Sequence, residues 1–216
     1  MDNFGKELQV VENLLVENPI WKERTFDVGI LSAKQALELG ASGPIARASG
    51  VPFDLRKSSP YSSYEDFDFQ IPVGKRGDVY DRFLVRIAEM KESIKIVRQA
   101  IDGLPEGPFR TLDRKIAPPP REELDNSMES LIHHFKLWTE GFRPPVGEAY
   151  AAVEGSKGEL GFYIVSDGTN RPYRWHERPS SFMNLKALEI LAVGRLIADV
   201  VAIIGSIDIV LGEIDR

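Results

Sequence analysis

Residues 78–104, DVYDRFLVRIAEMKESIKIVRQAIDGL, decide how the rest of this chain is read. Val79, Phe83, Ile87, Met90, Ile94, Val97 and Ile101 step by three or four, which lays one apolar seam along a helix. Such a seam belongs in the core of a helix bundle. Downstream lies a Pro-rich connector over 104–120, stiffened by Pro118, Pro119 and Pro120. Glu122 to Gly141 follows as a second amphipathic helix, opened by acids that suit its N-terminal dipole. Upstream, Leu8, Val11, Leu14, Leu15 and Trp21 predict a helix over 3–24, ended or kinked at Pro19. Ser32 caps a short helix from Ala33 to Leu39, and Gly40 stops it.

Between 41 and 77 the text changes character. Gly43, Pro44, Gly50, Pro52, Pro60, Pro72, Gly74 and Gly77 punctuate it, and Tyr61, Tyr64, Phe67 and Phe69 are interleaved with acids. The reading is a long irregular segment with a strand at Phe67 to Val73, of a length that is functional or packs on a partner. The region 147–178 reads as β-structure. Ala149 to Glu154 and Leu160 to Ser166 flank a Gly-Ser-Lys-Gly turn, and a second turn at Asp167-Gly168 and Asn170 precedes Tyr173 to Trp175. Helices return at Met183 to Ala192 and from Arg195 onward. The sum is an α+β chain, mainly α: one domain over 1–216, a helix bundle with a small antiparallel sheet inserted late.

Composition excludes several classes. With 216 residues, 43% apolar and 28% charged, the chain is long enough for one substantial core or two small ones. A net charge of -6, with Lys and Arg scattered, argues against nucleic acid as a partner. The absence of cysteine removes disulfides, thiolate metal sites, iron–sulfur ligation and thiol nucleophiles, and fits a reducing compartment. Met1 to Val10 is acidic and polar where a signal peptide needs a basic start and an apolar run. The most membrane-like stretch, Leu185 to Leu211, is interrupted by Lys186, Glu189, Arg195, Asp199 and Asp208. A charge near the bilayer centre costs roughly 3 kcal/mol, so this stretch is expected inside protein, covered on most sides and pointing to partners.

Few residues declare chemistry by spacing. His133 and His134 point about 100° apart on a helix and cannot share a metal as i and i+4 residues can; packing or a partner contact suits them better. His176 stands alone in Arg174-Trp175-His176-Glu177-Arg178. Gly155-Ser156-Lys157-Gly158 lacks the full glycine spacing of a phosphate loop and sits between strands. No nucleophile elbow is present. The C-terminal acids Asp208, Glu213 and Asp215 follow directly on a very apolar helix, either as a solvated terminus or as a tail folded back to line a cavity.

Longer motifs carry a resemblance. Asp54-Leu55-Arg56-Lys57, Pro60-Tyr61, Pro72-Val73-Gly74-Lys75, Tyr80-Asp81-Arg82 and Leu84-Val85-Arg86-Ile87 resemble the D-subunit family of respiratory complex I, NADH:quinone oxidoreductase. So do Ser166 to Arg174, Ala198-Asp199-Val200-Val201 and Glu213-Ile214-Asp215-Arg216, and the likeness runs over essentially the whole chain. That family is related to the large subunit of nickel–iron hydrogenases, which implies a helix bundle of that type. Hydrogenases carry Asp-Pro-Cys-x-x-Cys near the C-terminus with a His three residues further on. Here Asp208 keeps the Asp, Val210 and Glu213 stand at the cysteine positions, and Arg216 stands at the histidine position. Valine cannot bind nickel and a lone carboxylate is too hard a ligand to replace two thiolates.

The resemblance therefore implies a former metal pocket, now part of a quinone-reduction cavity beside the terminal iron–sulfur cluster of a neighbouring subunit. Glu154, Lys157 and Gly158 match the hydrogenase Glu-x-x-Arg-Gly element, with Lys157 keeping the charge but losing the planar fork of Arg. By resemblance, Glu154, Lys157, Gly158, Asp208, Val210 and Glu213 line or border this cavity. The chain is expected to bind no cofactor and to be non-catalytic alone; quinone is the substrate of the assembly. Implied partners are the N-terminal half of the D subunit, the B and C subunits, and a membrane-arm subunit near the quinone entrance. The implied location is peripheral, on the cytoplasmic face of the inner membrane. The family is about twice this long, so the chain corresponds to its C-terminal half, either a shortened chain or one product of a split subunit. The His and Tyr that members offer to the quinone head group belong to the other half. Two other readings stand beside this one: an interaction or assembly protein with the same fold, and a membrane-bound hydrogenase relative, which would need thiolates near the C-terminus.

Overall fold

Asn18 and Pro19 set the first turning point of the chain. The Asn18 side chain accepts hydrogen bonds from the backbone of Ile20 (3.0 Å) and Trp21 (3.3 Å), and Pro19 takes the first helical position, where no donor is needed. The expected helix over 3–24 is therefore two helices, α1 (Asp2–Leu15) and α2 (Pro19–Thr25). The computed structural model describes residues 2–215. It continues through α3 (Ala33–Glu38), α4 (Pro44–Ala48), α5 (Leu55–Ser58), a 3-10 turn at Tyr64–Asp66, and α6 (Val79–Asp102). Then come α7 (Arg121–Leu124), α8 (Met128–Thr139), β1 (Gly147–Gly155), β2 (Gly158–Ser166) and β3 (Arg174–Arg178). The chain closes with α9 (Ser180–Leu185), α10 (Leu188–Leu191), α11 (Ile197–Ile207) and α12 (Leu211–Ile214). The three strands form one antiparallel sheet in the order β1-β2-β3, so the mixed, mainly helical class and the late sheet are as read from the sequence.

The described residues divide into two compact units. The first takes the chain up to Gly103, Ala152–Gly161 and everything from Arg178 onward. The second takes Leu104–Ala151 and Phe162–Glu177. The first unit holds the apolar core: Val28, Leu31, Ala36, Ile45, Val79, Ala187, Leu191, Ile203 and Ile207. Among the described residues, Pro119 is the one buried apolar side chain of the second unit.

Four expectations are corrected. No strand forms over 67–73: the backbone N–H groups of Asp68 and Gln70 donate to Gln99 (2.8 Å) and Glu92 (2.9 Å) of α6, so side chains occupy the place of a strand partner. The helix expected over 122–141 is α7 and α8, because Ser127 caps a new helix by accepting from the Ser130 N–H. The seam of α6 is core only in its first half; Val79 and Ile87 are buried, whereas Ile101 is 63% exposed. Finally, the apolar C-terminal stretch is broken into short helices and covered on one side only. Ile203 and Ile207 are buried while Val193, Ile197 and Val201 face outward, and among the described residues no helix is long and apolar enough to cross a membrane.

One contact in the first unit places the β1–β2 turn. Gly158 lies in the left-handed half of backbone space (φ +132°) and Gly43, which precedes α4, also has positive φ (+73°). The two backbones touch, so closely that a methyl group on Gly158 would stand 2.5 Å from Ser42 Oγ and 2.9 Å from the Gly43 nitrogen. Buried Asn184 bolts the junction: its side chain accepts from Ser42 N–H (3.2 Å) and donates to the carbonyls of Ser42 (3.3 Å) and Lys157 (3.1 Å). Gly158→Ala is expected to destabilise the chain by about 2 kcal/mol or more, through clash and backbone strain together. A urea titration reads this as a lowered midpoint with unchanged slope; an unmoved midpoint would mean that the junction yields without cost.

Candidate functional site

The β1–β2 turn carries two charged side chains to a place where charges are already buried. Glu154 is the penultimate residue of β1, its N–H pointing off the strand edge to the Tyr61 hydroxyl at 2.9 Å. Its carboxylate is 2% exposed and accepts from Arg47 Nη1 (2.8 Å) and the Leu55 N–H (3.2 Å). Arg47, set on α4, is equally buried. It also donates through Nε to Glu89 of α6 (2.6 Å) and through Nη1 to the Phe53 carbonyl (3.0 Å), with Asp54 at 3.5 Å. Asp54 caps α5 through the Arg56 N–H (2.9 Å) and receives the Arg56 side chain in a two-pronged pair (2.9 and 2.6 Å). Arg56 in turn lies over the ring of Phe69 at 5.1 Å.

Burial and charge pull against each other here. Burial disfavours the Asp54 carboxylate, but the hydrogen bonds and charge of Arg56, with Arg47 behind, hold its pKa below the ordinary value. At Glu154 burial prevails over Arg47, and the pKa is raised. For Arg47 burial works against the charge, yet Glu89 and Glu154 together keep it above the usual guanidinium value.

A second group closes the site from α6 and α11. Arg82 and Arg86, one turn apart, both serve the C-terminal end of α11: Arg82 Nε donates to Ser206 Oγ (2.9 Å) and Arg86 Nη2 to the Ile207 carbonyl (3.4 Å). Cations suit the negative end of a helix dipole. Burial, reinforced by repulsion from Arg86, pushes Arg82 down to about 10, which leaves it charged at neutral pH. Asp208 ends α11 in the left-handed region (φ 58°, ψ 56°), a conformation that Asp tolerates. Its carboxylate pairs closely with Lys157 Nζ and lies 3.6 Å from Arg86 Nε. That Arg86 nitrogen is buried and makes no hydrogen bond among the described residues.

These side chains line a cavity of about 480 Å³, whose wall carries four cations (Arg47, Arg56, Arg86, Lys157) and three carboxylates (Glu89, Glu154, Asp208). Arg86 and Asp208 also line an adjoining apolar cavity of about 450 Å³, walled by Trp21, Val79, Phe83, Ala202 and Gly205. Trp21 Nε1 is buried without a hydrogen bond among the described residues. A polar chamber with one cation in excess thus adjoins an apolar one. The pair suits a ligand with an acceptor-bearing head and an apolar body.

Of the six residues singled out in the sequence, Glu154, Lys157 and Asp208 share the polar cavity. The other three are not among its lining residues. Gly158 packs on Gly43, the Val210 N–H donates to Ser181 Oγ (3.2 Å), and Glu213 accepts from Ser180 Oγ (3.2 Å) and the Ser181 N–H (2.9 Å) at the start of α9. Arg216 lies outside the described residues. His133 sits 3.6 Å from Glu129, the His134 ring lies tilted against that of Trp138 with centroids 5.9 Å apart, and His176 is exposed on β3. Among the described residues, no three His, Asp or Glu side chains stand close enough to hold a metal ion. Sequence reasoning gave no role to Arg47, Arg86, Glu89 or Asn184. Arg86 alone left a trace, within the Leu84-Val85-Arg86-Ile87 motif that carries the resemblance.

Comparison with known proteins covers the whole chain. The family model described as respiratory-chain NADH dehydrogenase, 49 Kd subunit, matches residues 1–216. The chain is 61% identical over 215 residues to the NADH-quinone oxidoreductase D subunit of Anaplasma marginale (strain St. Maries), covering 100% of this chain and 54% of that protein. It is 58% identical over 216 residues to the protein of the same description from Ehrlichia canis (strain Jake), covering 100% and 55%. For that of Wolbachia pipientis subsp. Culex pipiens (strain wPip) the identity is 56% over 216 residues, again covering 100% and 55%. The chain spans about half the length of the curated relatives it matches.

A lowered carboxyl pKa gives stability that is complete above the unfolded value and is lost as pH falls through the folded one. Asp54 is of this kind, with an ordinary value of 3.8. Asp54→Asn is therefore expected to be less stable than the parent near neutral pH, with the gap narrowing below about pH 4. Urea midpoints measured from neutral to acid pH check this. A gap constant with pH would show that the carboxylate adds nothing beyond its cap.

Proposed function

This chain belongs to the family of the respiratory-chain NADH dehydrogenase 49 Kd subunit, and from that premise we propose that it helps form the quinone-reduction cavity of an NADH:quinone oxidoreductase. In this reading it is the C-terminal half of the D subunit, with the hydrogenase-large-subunit type of bundle, in the peripheral arm on the cytoplasmic face of the inner membrane. Its partners are the N-terminal half of the same subunit, the B and C subunits, and a membrane-arm subunit near the quinone entrance. The iron–sulfur cluster of the neighbouring subunit supplies the electrons.

The observation that carries the proposal is the paired chamber. A quinone is a flat ring with two carbonyl acceptors and an apolar tail, and reduction places negative charge on its oxygens before protons arrive. The cationic wall of Lys157, Arg86, Arg56 and Arg47 stabilises that charge, and does so more strongly out of bulk water than in it. Lys157 is the cation best placed to respond. It sits on a turn rather than in the core, and its ammonium is held by the Asp208 carboxylate, so it can exchange that partner for a substrate oxygen. Arg47 and Arg56 are fixed by several bonds each and act as a background field. Glu154 holds Arg47 and the turn in place. The adjoining chamber takes apolar ring substituents or tail. This chain has no cysteine and so supplies no thiolate of the hydrogenase kind to the cavity.

Lys157→Met in the assembled complex is expected to lower the turnover of quinone reduction by about tenfold or more, as loss of one oriented charge does at an anion site. Reduction of an artificial acceptor by the electron-input subunits should be unchanged, and Lys157→Arg should restore most of the quinone activity. Quinone turnover equal to wild type in the Met variant would refute the role.

A further inference from the structure

Asp208 stands between two cations and is bonded to only one of them. Its Oδ2 atom pairs closely with Lys157 Nζ, and the same oxygen lies 3.6 Å from Arg86 Nε, just outside hydrogen-bond reach. The rest of the Arg86 guanidinium is already engaged: Nη1 donates to the Arg82 carbonyl (3.2 Å) and Nη2 to the Ile207 carbonyl (3.4 Å). Nε is left buried and unbonded among the described residues. A buried donor without an acceptor is costly enough that each instance calls for a cause. Here an acceptor is close at hand, since a shift of about 0.7 Å by the Asp208 carboxylate would bring it to the usual 2.9 Å. Burial pushes Arg86 below the ordinary guanidinium value, and Asp208 and Glu89 oppose that push. Glu89 is itself taken by Arg47 Nε at 2.6 Å, so Asp208 is the carboxylate that remains for Arg86.

The two cations differ in freedom. Arg86 is tied to carbonyls of α6 and α11, whereas Lys157 is a point charge on a flexible stem at the β1–β2 turn. The Asp208 side chain is 42% exposed and has room to turn from one to the other. Arg86 and Asp208 are also the two residues that line both the polar and the apolar cavity. If Lys157 leaves for an anionic oxygen, Asp208 loses its nearest cation, and stripping one partner from a partly buried pair is expensive. Arg86 Nε can receive the carboxylate and fill its own empty bond in the same movement. We infer that Asp208 changes partner from Lys157 to Arg86 as negative charge arrives on the substrate, so that Arg86 is a positioning residue that frees Lys157 for the substrate oxygen. No proton moves in the exchange, and only ion pairs and hydrogen bonds are remade. The inference rests on reading the polar cavity as the place of quinone reduction.

The test uses the complex in its native membranes, with turnover measured against quinone concentration. Arg86→Lys keeps a charge on α6 but removes Nε. It is expected to lower kcat about tenfold, the worth of one charge-assisted hydrogen bond, and to leave KM within about twofold, because neutral quinone enters before the exchange. In an Asp208→Asn background no carboxylate has to be received, and the same change should alter kcat by less than about twofold. Asn tolerates the left-handed backbone at this position. A role confined to holding the end of α11 predicts an equal loss in both backgrounds and overturns the inference, as does an Arg86→Lys kcat equal to wild type. Structures of the wild-type complex frozen with quinone, with and without NADH, decide the question however well the variants assemble. In the reduced state Asp208 is expected within about 3.2 Å of Arg86 Nε and released from Lys157; Asp208 on Lys157 in both states overturns the exchange. A wild-type complex that holds this chain and reduces no quinone would defeat the proposed function itself, an outcome distinct from equal losses in a complex that does.

Discussion

Arg47 is the interaction on which the first unit depends. A guanidinium with 2% of its side chain exposed has given up nearly all of its hydration, and only a dense set of acceptors offsets that loss. Glu89 of α6, Glu154 of β1 and the Phe53 carbonyl supply it, with Asp54 beneath. These groups come from separate parts of the sequence. Satisfying one cation thus fixes the helix α6, the irregular segment around Asp54 and the β-turn relative to one another. Apolar packing in this unit is modest and many of its buried side chains are small, so the charged cluster specifies geometry that packing alone would leave loose.

The helix α6 shows how one element serves two ends. Its first half contributes Val79 and Ile87 to the buried interior, and from the same turns Arg82 and Arg86 reach the end of α11. Its second half offers Glu92 and Gln99 as backbone partners to the extended segment over 67–73. An irregular segment that borrows side-chain acceptors in this way needs no strand partner, and its Phe69 ring is free to cover Arg56 and Lys57.

What could be read from the sequence was whatever has a local signature. The seam of α6, the capping Ser32, the Gly-Ser-Lys-Gly turn and the break at Pro19 all depend on neighbours within a few residues, and each is found. Periodicity announces an apolar stripe but not the side on which its partner sits. The back half of α6 and all of α8 carry the stripe outward. Within the candidate site, Glu154, Lys157 and Asp208 were indicated by resemblance, whereas Arg47 lies in a five-residue helix with no period to betray it. Val210 and Glu213 follow the same tail motif, yet α12 leans on α9 and carries them to Ser180 and Ser181.

The bolt at Asn184 has a consequence for the order in which the molecule takes shape. It joins Ser42 and Lys157 from a position 142 residues beyond the first, and the Glu159 N–H returns to Ser42 Oγ across 117. Closing loops of that length is entropically expensive and is rewarded only once both ends are already structured. Local helices gain nothing from the junction and can form without it; the turn bearing Lys157 cannot be positioned until it closes. The cavity is therefore a late product of folding. Its presence certifies that distant parts of the chain have met, whereas helical content reports only the early steps.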